Sequence, residues 1–530
     1  MLPMWFWGVP TSRDAKQHYQ FALTYYNAAL KGDLYPGLAS EENHGLSGYG
    51  VRFYPPAPSW ILAAARAICG NWYDASRLAF LFWMILAGIG TYLWAREWFT
   101  PQESLAASFL YTVAPYHLNE IYGIFLYGEF AASAVLPFTF WFVDRVFRRG
   151  RLIDCCCLAA AYAALILTHL PLTVIGSLSL LIYATTFLNR QNFWRTSFKL
   201  AFAVIIGLMA SGFYWTMLIS EMQWLNHTAS AYFSEHYDYR ANFVFSFKFL
   251  TSPDALERAT WFADIILLAT FALHVPLAIA GFLSGSEVKR NLLRSLIPLF
   301  AIAVLLTTPL SRPIWDNFSI LQRIQFPWRW FAVISLCGAI AAASGVKHVL
   351  ASAQNSKHRF VSLLVGGGLL MSLTFTFSQI IRSAVYVQRE SFEENIENLS
   401  ADESFDCWWT IWAKSSAFEN KERVNAGSRS VEIELWQSES KVFIVESGQE
   451  ETARIATFFY PHWKAEVNGQ PVKIKCADDG TILVPLPSDK ANIKLYFQEP
   501  TLLQVAVLVS IVAWLAIVLI FLSHFYQSFF

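Results

Sequence analysis

Between Thr11 and Gly37 the chain reads TSRDAKQHYQFALTYYNAALKGDLYPG. Asp14 and His18 stand four residues apart there, which on a helix puts them on one side. A carboxylate or an imidazole can take the proton from an attacking hydroxyl, and a carboxylate can equally ligate a divalent metal. Other ionisable groups lie in apolar surroundings: Glu129 in YGEFAASA, His169 before Pro171, Glu221 after SGFYWTMLIS, and Arg323 and Arg329 in LQRIQFPWRW. A carboxylate inside an apolar helix is unfavourable unless paired or wet, which makes Glu129 a candidate site residue. A guanidinium fork matches phosphate oxygens, and a lipid-phosphate leaving group needs such a cation, or a metal, to stabilise it. Together the set suits group transfer from a lipid phosphate to an acceptor hydroxyl. Asp14 is the base or metal ligand and His18 supports it. Glu129, Glu221 and His169 line the substrate cavity, and Arg323 and Arg329 hold the phosphate.

Each residue also has an ordinary structural reading. Asp14 can be a charge at a helix N-terminus, His18 a packed side chain, and His169 a cap beside a proline break. Glu129 can pair with an arginine to hold two spans together, and the arginines can be interfacial anchors beside Trp328 and Trp330. Glu41 and Glu42 read as solvated. Both kinds of reading stay open from sequence alone; the site reading draws on all these groups falling on one membrane face.

The elements that must position them follow from composition. Of 530 residues, 55% are hydrophobic, 16% aromatic and only 15% charged, with a mean hydropathy of +0.37. Soluble domains carry about a quarter charged residues. The deficit falls in runs long enough to cross a bilayer, which takes roughly 20 helical residues. The fold class is therefore a polytopic α-helical membrane protein, and a net charge of +0 gives no reason to expect nucleic acid as a partner. Spans are expected at 77–96, 104–118, 123–145, 152–169, 170–188, 197–219, 261–283, 291–309, 327–347, 359–381 and 501–523, with 57–72 a helix lying at the interface. The basic clusters REWF (96–99), RVFRRGR (145–151), NRQNFWRTSFK (189–199), KRNLLR (289–294) and KHVLASAQNSKHR (347–359) fall in alternate loops. The positive-inside rule assigns them to the cytoplasm and every long polar loop to the opposite face.

Residues 383–500 change character. SVEIELW, KVFIVES, ARIATFFY, TILVPLP and ANIKLYF alternate or run β-branched, and Asn468–Gly469 marks a hairpin. A small all-β, sandwich-like domain is expected there, after an acidic lead-in that is linker or helix. The division is then 1–76 as a first external loop with interfacial helices, 77–382 as the multi-span domain, 383–500 as the β domain and 501–530 as a last span. Cys407 and Cys476 could pair if that region is extracytoplasmic; the other five cysteines read as small hydrophobes. MLPMWFWGVP is too short and too poor in basic residues for a cleavable signal peptide, and could be the tail of a truncated first span or an exposed terminus.

The layout resembles the GT-C superfamily of membrane glycosyltransferases. More closely it is similar to the bacterial membrane proteins labelled 6-pyruvoyl-tetrahydropterin-synthase-related and to the YfhO-like proteins. The resemblance rests on SRDAKQHY, RFYPPAPSW, LYTVAPYHL, YGEFAASAVLPF, GFYWTMLISE, RIQFPWRW and FFYPHWKAEVNGQPV, in order along nearly the whole chain. It implies a GT-C-like fold and transfer of a sugar from a polyprenyl-phosphate-linked donor to a glycan, lipid or protein acceptor on the outer face of a bacterial plasma membrane, with membrane lipid around it. Asp14 matches the family's acid in the first loop, although here it is a lone Asp followed by His rather than a paired acid. No cofactor is implied beyond a possible divalent metal at Asp14. Two rivals remain: a transporter or lipid-binding protein, for which Pro115 and Pro171 are the candidate interruptions, and a non-catalytic scaffold displaying the β domain, which predicts that Asp14 and Arg323 lie far apart.

Overall fold

The computed structural model describes residues 1–12, 14–228, 237–245, 255–354 and 359–529. Arg13, most of the loop 229–254 and part of the basic cluster at 347–359 lie outside the described residues. The apolar runs expected as spans are mostly helical, but against the eleven spans expected, seven helices among the described residues are long and apolar enough to cross a membrane by length and composition: Trp72–Arg96, Tyr127–Arg148, Phe193–Ala210, Phe262–Ser284, Glu287–Thr307, Pro327–Ala351 and Thr501–Gln527. The run 104–118 is two pieces, Pro101–Thr112 and Pro115–Leu118, because Pro115 has no amide hydrogen for the helical ladder. Leu152–Ile166 and Leu170–Thr185 are shorter apolar helices, separated by a turn that precedes Pro171. The segment after YPP forms the helix Pro56–Cys69.

The helix Phe331–Gln354 lies deep in the bundle. A Cβ on Gly345 would overlap the carbonyl of Leu277, and one on Gly281 would overlap Ser344 Oγ. Small residues at these two crossing points let the helix pack backbone to backbone on Ala255–Ser284. Its first turn, Pro327–Trp330, carries Arg329. Thr501–Phe529, by contrast, turns Leu508, Val512, Leu515 and Leu519 outward, and is tied to the bundle by Phe213 N–H donating to Ser510 Oγ at 2.9 Å and Trp514 Nε1 donating to the Ala210 carbonyl at 2.9 Å.

Two antiparallel sheets make up the β region. One has four strands, in the order Val424–Asn425, Thr452–Phe458, Thr481–Pro485, Lys475–Cys476; the other has five, in the order Val431–Trp436, Ser440–Val445, Ala491–Phe497, Trp463–Val467, Gln470–Val472. Ile455, Ile482 and Val484 of the first pack with Phe443, Ile493 and Leu495 of the second, so the sheets form a sandwich. The strand Ala491–Phe497 alternates buried and exposed residues along its length, as a strand facing a core on one side must. Asn468 and Gly469, at φ 52° and 75°, make the expected tight hairpin. The acidic lead-in is the helix Arg389–Asn398. Cys407 and Cys476 are free thiols, so the pairing raised by their shared polar region is not formed. The sandwich does not hang from a tether: Tyr49 of the first loop stacks on Tyr460 at 4.3 Å and donates to the Phe458 carbonyl at 2.8 Å. A two-stranded sheet, Val9–Thr11 with Val385–Val387, joins the start of the chain to the start of this region.

Candidate functional site

Asp14 precedes the helix Ala15–Ala29, at its N-cap position, but its side chain caps no helix amide. It is half-buried. One turn on, His18 is 6% exposed and packed edge-on against Tyr54 at 5.2 Å and Tyr127 at 5.7 Å, with Phe125 at 6.3 Å. That apolar cage disfavours the imidazolium and brings its pKa down to about 3. His18 is therefore a neutral imidazole at ordinary pH, able to orient a partner but not to supply positive charge.

Glu129 lies in the first turn of Tyr127–Arg148 and is 1% exposed. Its Oε2 accepts from Arg329 Nε at 2.9 Å, and its Oε1 accepts from the Tyr116 hydroxyl. Arg329 also donates through Nη1 to the Ile324 carbonyl at 2.6 Å. Those two bonds commit two of the five guanidinium N–H groups. The Glu129–Arg329 pairing read as a structural alternative is thus present, yet among the described residues its hydrogen bonds leave part of the fork uncommitted.

Tyr54 links this pair to Asp14. A Cβ on Gly128 would stand 2.5 Å from the Tyr54 hydroxyl, so the phenol lies over backbone next to Glu129. Burial raises the Tyr54 pKa, Asp14 and Glu129 raise it further, and Arg329 opposes them. The hydroxyl thus feels all three charges. His169 feels Arg329 and His18, while its Nδ1 caps its own helix by accepting from Leu172 N–H at 3.4 Å. The exposed Arg323 acts on His227, whose ring stacks on Trp408 at 5.0 Å; Trp408 in turn packs edge-on to Tyr54 at 6.3 Å. Asp14, His18, Glu129, His169 and Arg329 therefore converge around Tyr54, and Arg323 reaches the same aromatic cluster through His227.

Glu221 belongs to a different cluster. It is 1% exposed at the end of Gly212–Glu221 and accepts from Arg52 Nε at 2.8 Å and Nη2 at 3.3 Å, the Tyr460 hydroxyl at 2.5 Å and His462 Nε2 at 2.8 Å. Arg52 turns its other edge to Glu499 at 2.5 and 2.6 Å. Burial alone would raise the Glu221 carboxyl; the bonds from His462, Arg52 and Tyr460 outweigh it and hold the pKa near 2. With four donors on two oxygens, the carboxylate has little capacity left for a substrate. Its place is a latch between the first loop, the helix Gly212–Glu221 and the sandwich, which corrects the reading of Glu221 as a cavity-lining group.

Among the described residues one set of three metal-type ligands lies close enough to share an ion: Glu221, His462 and Glu499. The Arg52 guanidinium bridges its two carboxylates, so the cation in that set is an arginine. Asp14 is in no such group among the described residues. Sequence reasoning did not find Tyr54, Arg52 or His462. Tyr54 and Arg52 stand in the quoted RFYPPAPSW and His462 in FFYPHWKAEVNG, but a motif states no partner. Nor is Glu42 solvated: it is 2% exposed, with neither carboxylate oxygen hydrogen-bonded among the described residues.

The family described as "6-pyruvoyl-tetrahydropterin synthase related domain; membrane protein" matches residues 51–381. The chain belongs to this family. No curated protein matches it. Among solved structures it is similar to ArnT from Cupriavidus metallidurans bound to undecaprenyl phosphate, at 15% identity and a TM-score of 0.42 over 72% of this chain and 73% of that one. It is similar to the arabinofuranosyltransferase AftD from Mycobacteria, at 13% identity and 0.42 over 72% of this chain and 25% of that one. It is also similar to the archaeal oligosaccharyltransferase AglB from Archaeoglobus fulgidus, at 12% identity and 0.38 over 77% of this chain and 58% of that one.

Proposed function

We propose that this membrane protein transfers a sugar from a polyprenyl-phosphate-linked donor to an acceptor hydroxyl on the outer face of a bacterial plasma membrane. The observation that carries the reading is that a half-buried carboxylate, Asp14, and an arginine with donors uncommitted among the described residues, Arg329, both act on Tyr54. Transfer needs this pairing. The acceptor oxygen bonds to the anomeric carbon as the bond from that carbon to the phosphate oxygen breaks. The acceptor's proton passes to the Asp14 carboxylate, and the leaving electron pair stays on the phosphate, next to Arg329. His18, neutral, and Tyr54 orient the acceptor; Glu129 holds the guanidinium in place; Arg323 draws the anionic donor toward the site. Attack opposite the leaving group gives inversion at the anomeric carbon.

The test is release of polyprenyl phosphate by the purified protein in liposomes, across a panel of polyprenyl-phosphate sugars, with binding of undecaprenyl phosphate followed by native mass spectrometry. Asp14→Asn is expected to lower turnover by roughly 10² to 10⁴ with lipid binding retained. Turnover by Asp14→Asn at the wild-type rate, or a wild-type protein that neither binds the lipid phosphate nor releases it, would sink the reading in favour of a scaffold.

A further inference from the structure

The helix Tyr127–Arg148 carries Glu129 in its first turn and Arg148 in its last. At about 1.5 Å per residue the two stand roughly 28 Å apart along the axis, so Arg148 marks the end of the bundle away from the Asp14 cluster. Two connections meet there: 148–151, which leads into Leu152–Ile166, and 186–192, which leads into Phe193–Ala210. Lys199 Nζ donates to the Gly150 carbonyl at 2.5 Å and so ties the second to the first. Phe187 packs against Phe147 at 5.5 Å and Trp98 at 6.0 Å, and the Arg148 guanidinium lies 3.8 Å from the centre of the Trp98 ring. Asn192 donates through Nδ2 to the Phe187 carbonyl at 3.2 Å and accepts through Oδ1 from Asn189 N–H at 2.8 Å, which fixes the turn that carries Arg190.

The acids at this end are already engaged. Glu97 pairs with Arg149 at 3.0 Å, and Asp154 with Arg145 at 2.7 Å and Arg151 at 3.3 Å. Asp144 is 1% exposed and accepts from the indoles of Trp94 at 2.9 Å and Trp98 at 2.5 Å and from the Tyr183 hydroxyl at 2.8 Å. Among the described residues no carboxylate pairs with Arg148, Arg190 or Arg195, and all three are exposed. Beside them Phe193–Ala210 turns Trp194, 70% exposed, Phe198, 70% exposed, and Phe202 outward in one row at i, i+4 spacing, which Ile205 continues. Trp194 lies 6.2 Å from Phe198 along that row. Since Phe193–Ala210 is long and apolar enough to cross a membrane, the row is its lipid-facing side, and the uncompensated guanidinium groups stand where that side reaches the headgroups. Aromatic rings that give way to cations at that depth match the acyl chains and phosphate of one lipid molecule. A soluble anion would use the cations and leave the row uncovered.

We propose that this end of the bundle binds an anionic phospholipid of the adjoining leaflet, its phosphate among Arg148, Arg190 and Arg195 and its chains along Trp194, Phe198 and Phe202. The inference does not depend on the transferase reading, because binding is measured without turnover. The probes are dioleoyl-phosphatidylglycerol and dioleoyl-phosphatidylcholine, which share their chains and differ in net charge, titrated into the full-length protein in detergent with bound lipid counted by native mass spectrometry. Wild type is expected to hold phosphatidylglycerol at least about tenfold more tightly than phosphatidylcholine. Replacing Arg148, Arg190 and Arg195 together by Gln should weaken phosphatidylglycerol by on the order of a hundredfold, at about fivefold per arginine, with phosphatidylcholine and the melting temperature unchanged. Arg290→Gln with Arg294→Gln, which removes two arginines already paired with Glu287 at 3.2 and 2.8 Å, should keep the preference. Asp14→Asn should bind as wild type, which separates failure here from failure of the transfer chemistry. Equal affinity for the two lipids, a preference that survives in the triple variant, the same loss in the Arg290–Arg294 variant, or displacement of the lipid by inorganic phosphate would each overturn the assignment.

Discussion

Replacing Glu221 by Gln tests whether the latch holds the sandwich to the first loop. The substitution keeps shape and removes one charge from a group 1% exposed. Arg52, itself 1% exposed, keeps Glu499 but loses one of its two bidentate carboxylate partners, and the new amide turns an N–H toward donors on Arg52, Tyr460 or His462. Breaking a buried, hydrogen-bonded ion pair on one side destabilises by about 3–5 kcal/mol. The pKa agrees: a carboxyl that falls from 4.5 to about 2 prefers its ionised form in the fold by about 3 kcal/mol. Because the folded value is the lower one, this stability is fully present above pH 4.5 and is lost as pH falls through about 2. Trp224 lies edge-on to Tyr460 at 5.3 Å and to His462 at 5.4 Å, and is one of 21 tryptophans whose summed fluorescence follows thermal unfolding in detergent. Glu221→Gln should melt well below wild type at pH 7, and the gap should shrink toward pH 3. A variant that melts within a degree of wild type at pH 7, or a gap that stays constant in acid, would refute the latch and return Glu221 to the list of substrate groups.

Glu42 should behave in the opposite sense. Its folded pKa is raised to about 8, so its stabilising contribution is complete below about pH 4.5 and disappears as pH rises through 8; wild type should lose several kcal/mol relative to Glu42→Gln between pH 5 and 9, and parallel melting curves over that range would show the carboxyl to be paired. Gly8 holds φ 111° and ψ −179°, a region used essentially by glycine alone, and a Cβ there would overlap the Val387 carbonyl. Gly8→Ala should cost about 2 kcal/mol or more and open the Val9–Thr11 strand to proteolysis; a wild-type melting temperature and cleavage pattern would disprove that strain.

What was legible in the sequence is what local chemistry dictates. Apolar runs became helices and Asn468–Gly469 turned a hairpin, because hydrophobic period and turn stereochemistry act within a few residues, although 104–118, expected as one span, is divided at Pro115. The wiring of the charges was not legible. Glu221 meets Arg52 across 169 positions and His462 across 241, and Arg52 meets Glu499 across 447; no spacing rule reaches that far. Glu42 looked solvated beside Glu41 and Asn43, yet the bridge between Ala39 and Gly48 folds the loop back and lays its carboxyl against Gly48. The two arginine–glutamate pairs then explain why residue type alone could not separate site from scaffold. Arg52 spends both edges of its fork on two carboxylates and the Gly37 carbonyl, whereas Arg329 gives one N–H to Glu129 and one to Ile324. A filled fork fixes structure. In the proposed transfer a partly open one, within the field of a half-buried acid, would receive the charge that a leaving phosphate develops, and that difference in remaining capacity is why the proposal draws on Glu129 and leaves out Glu221.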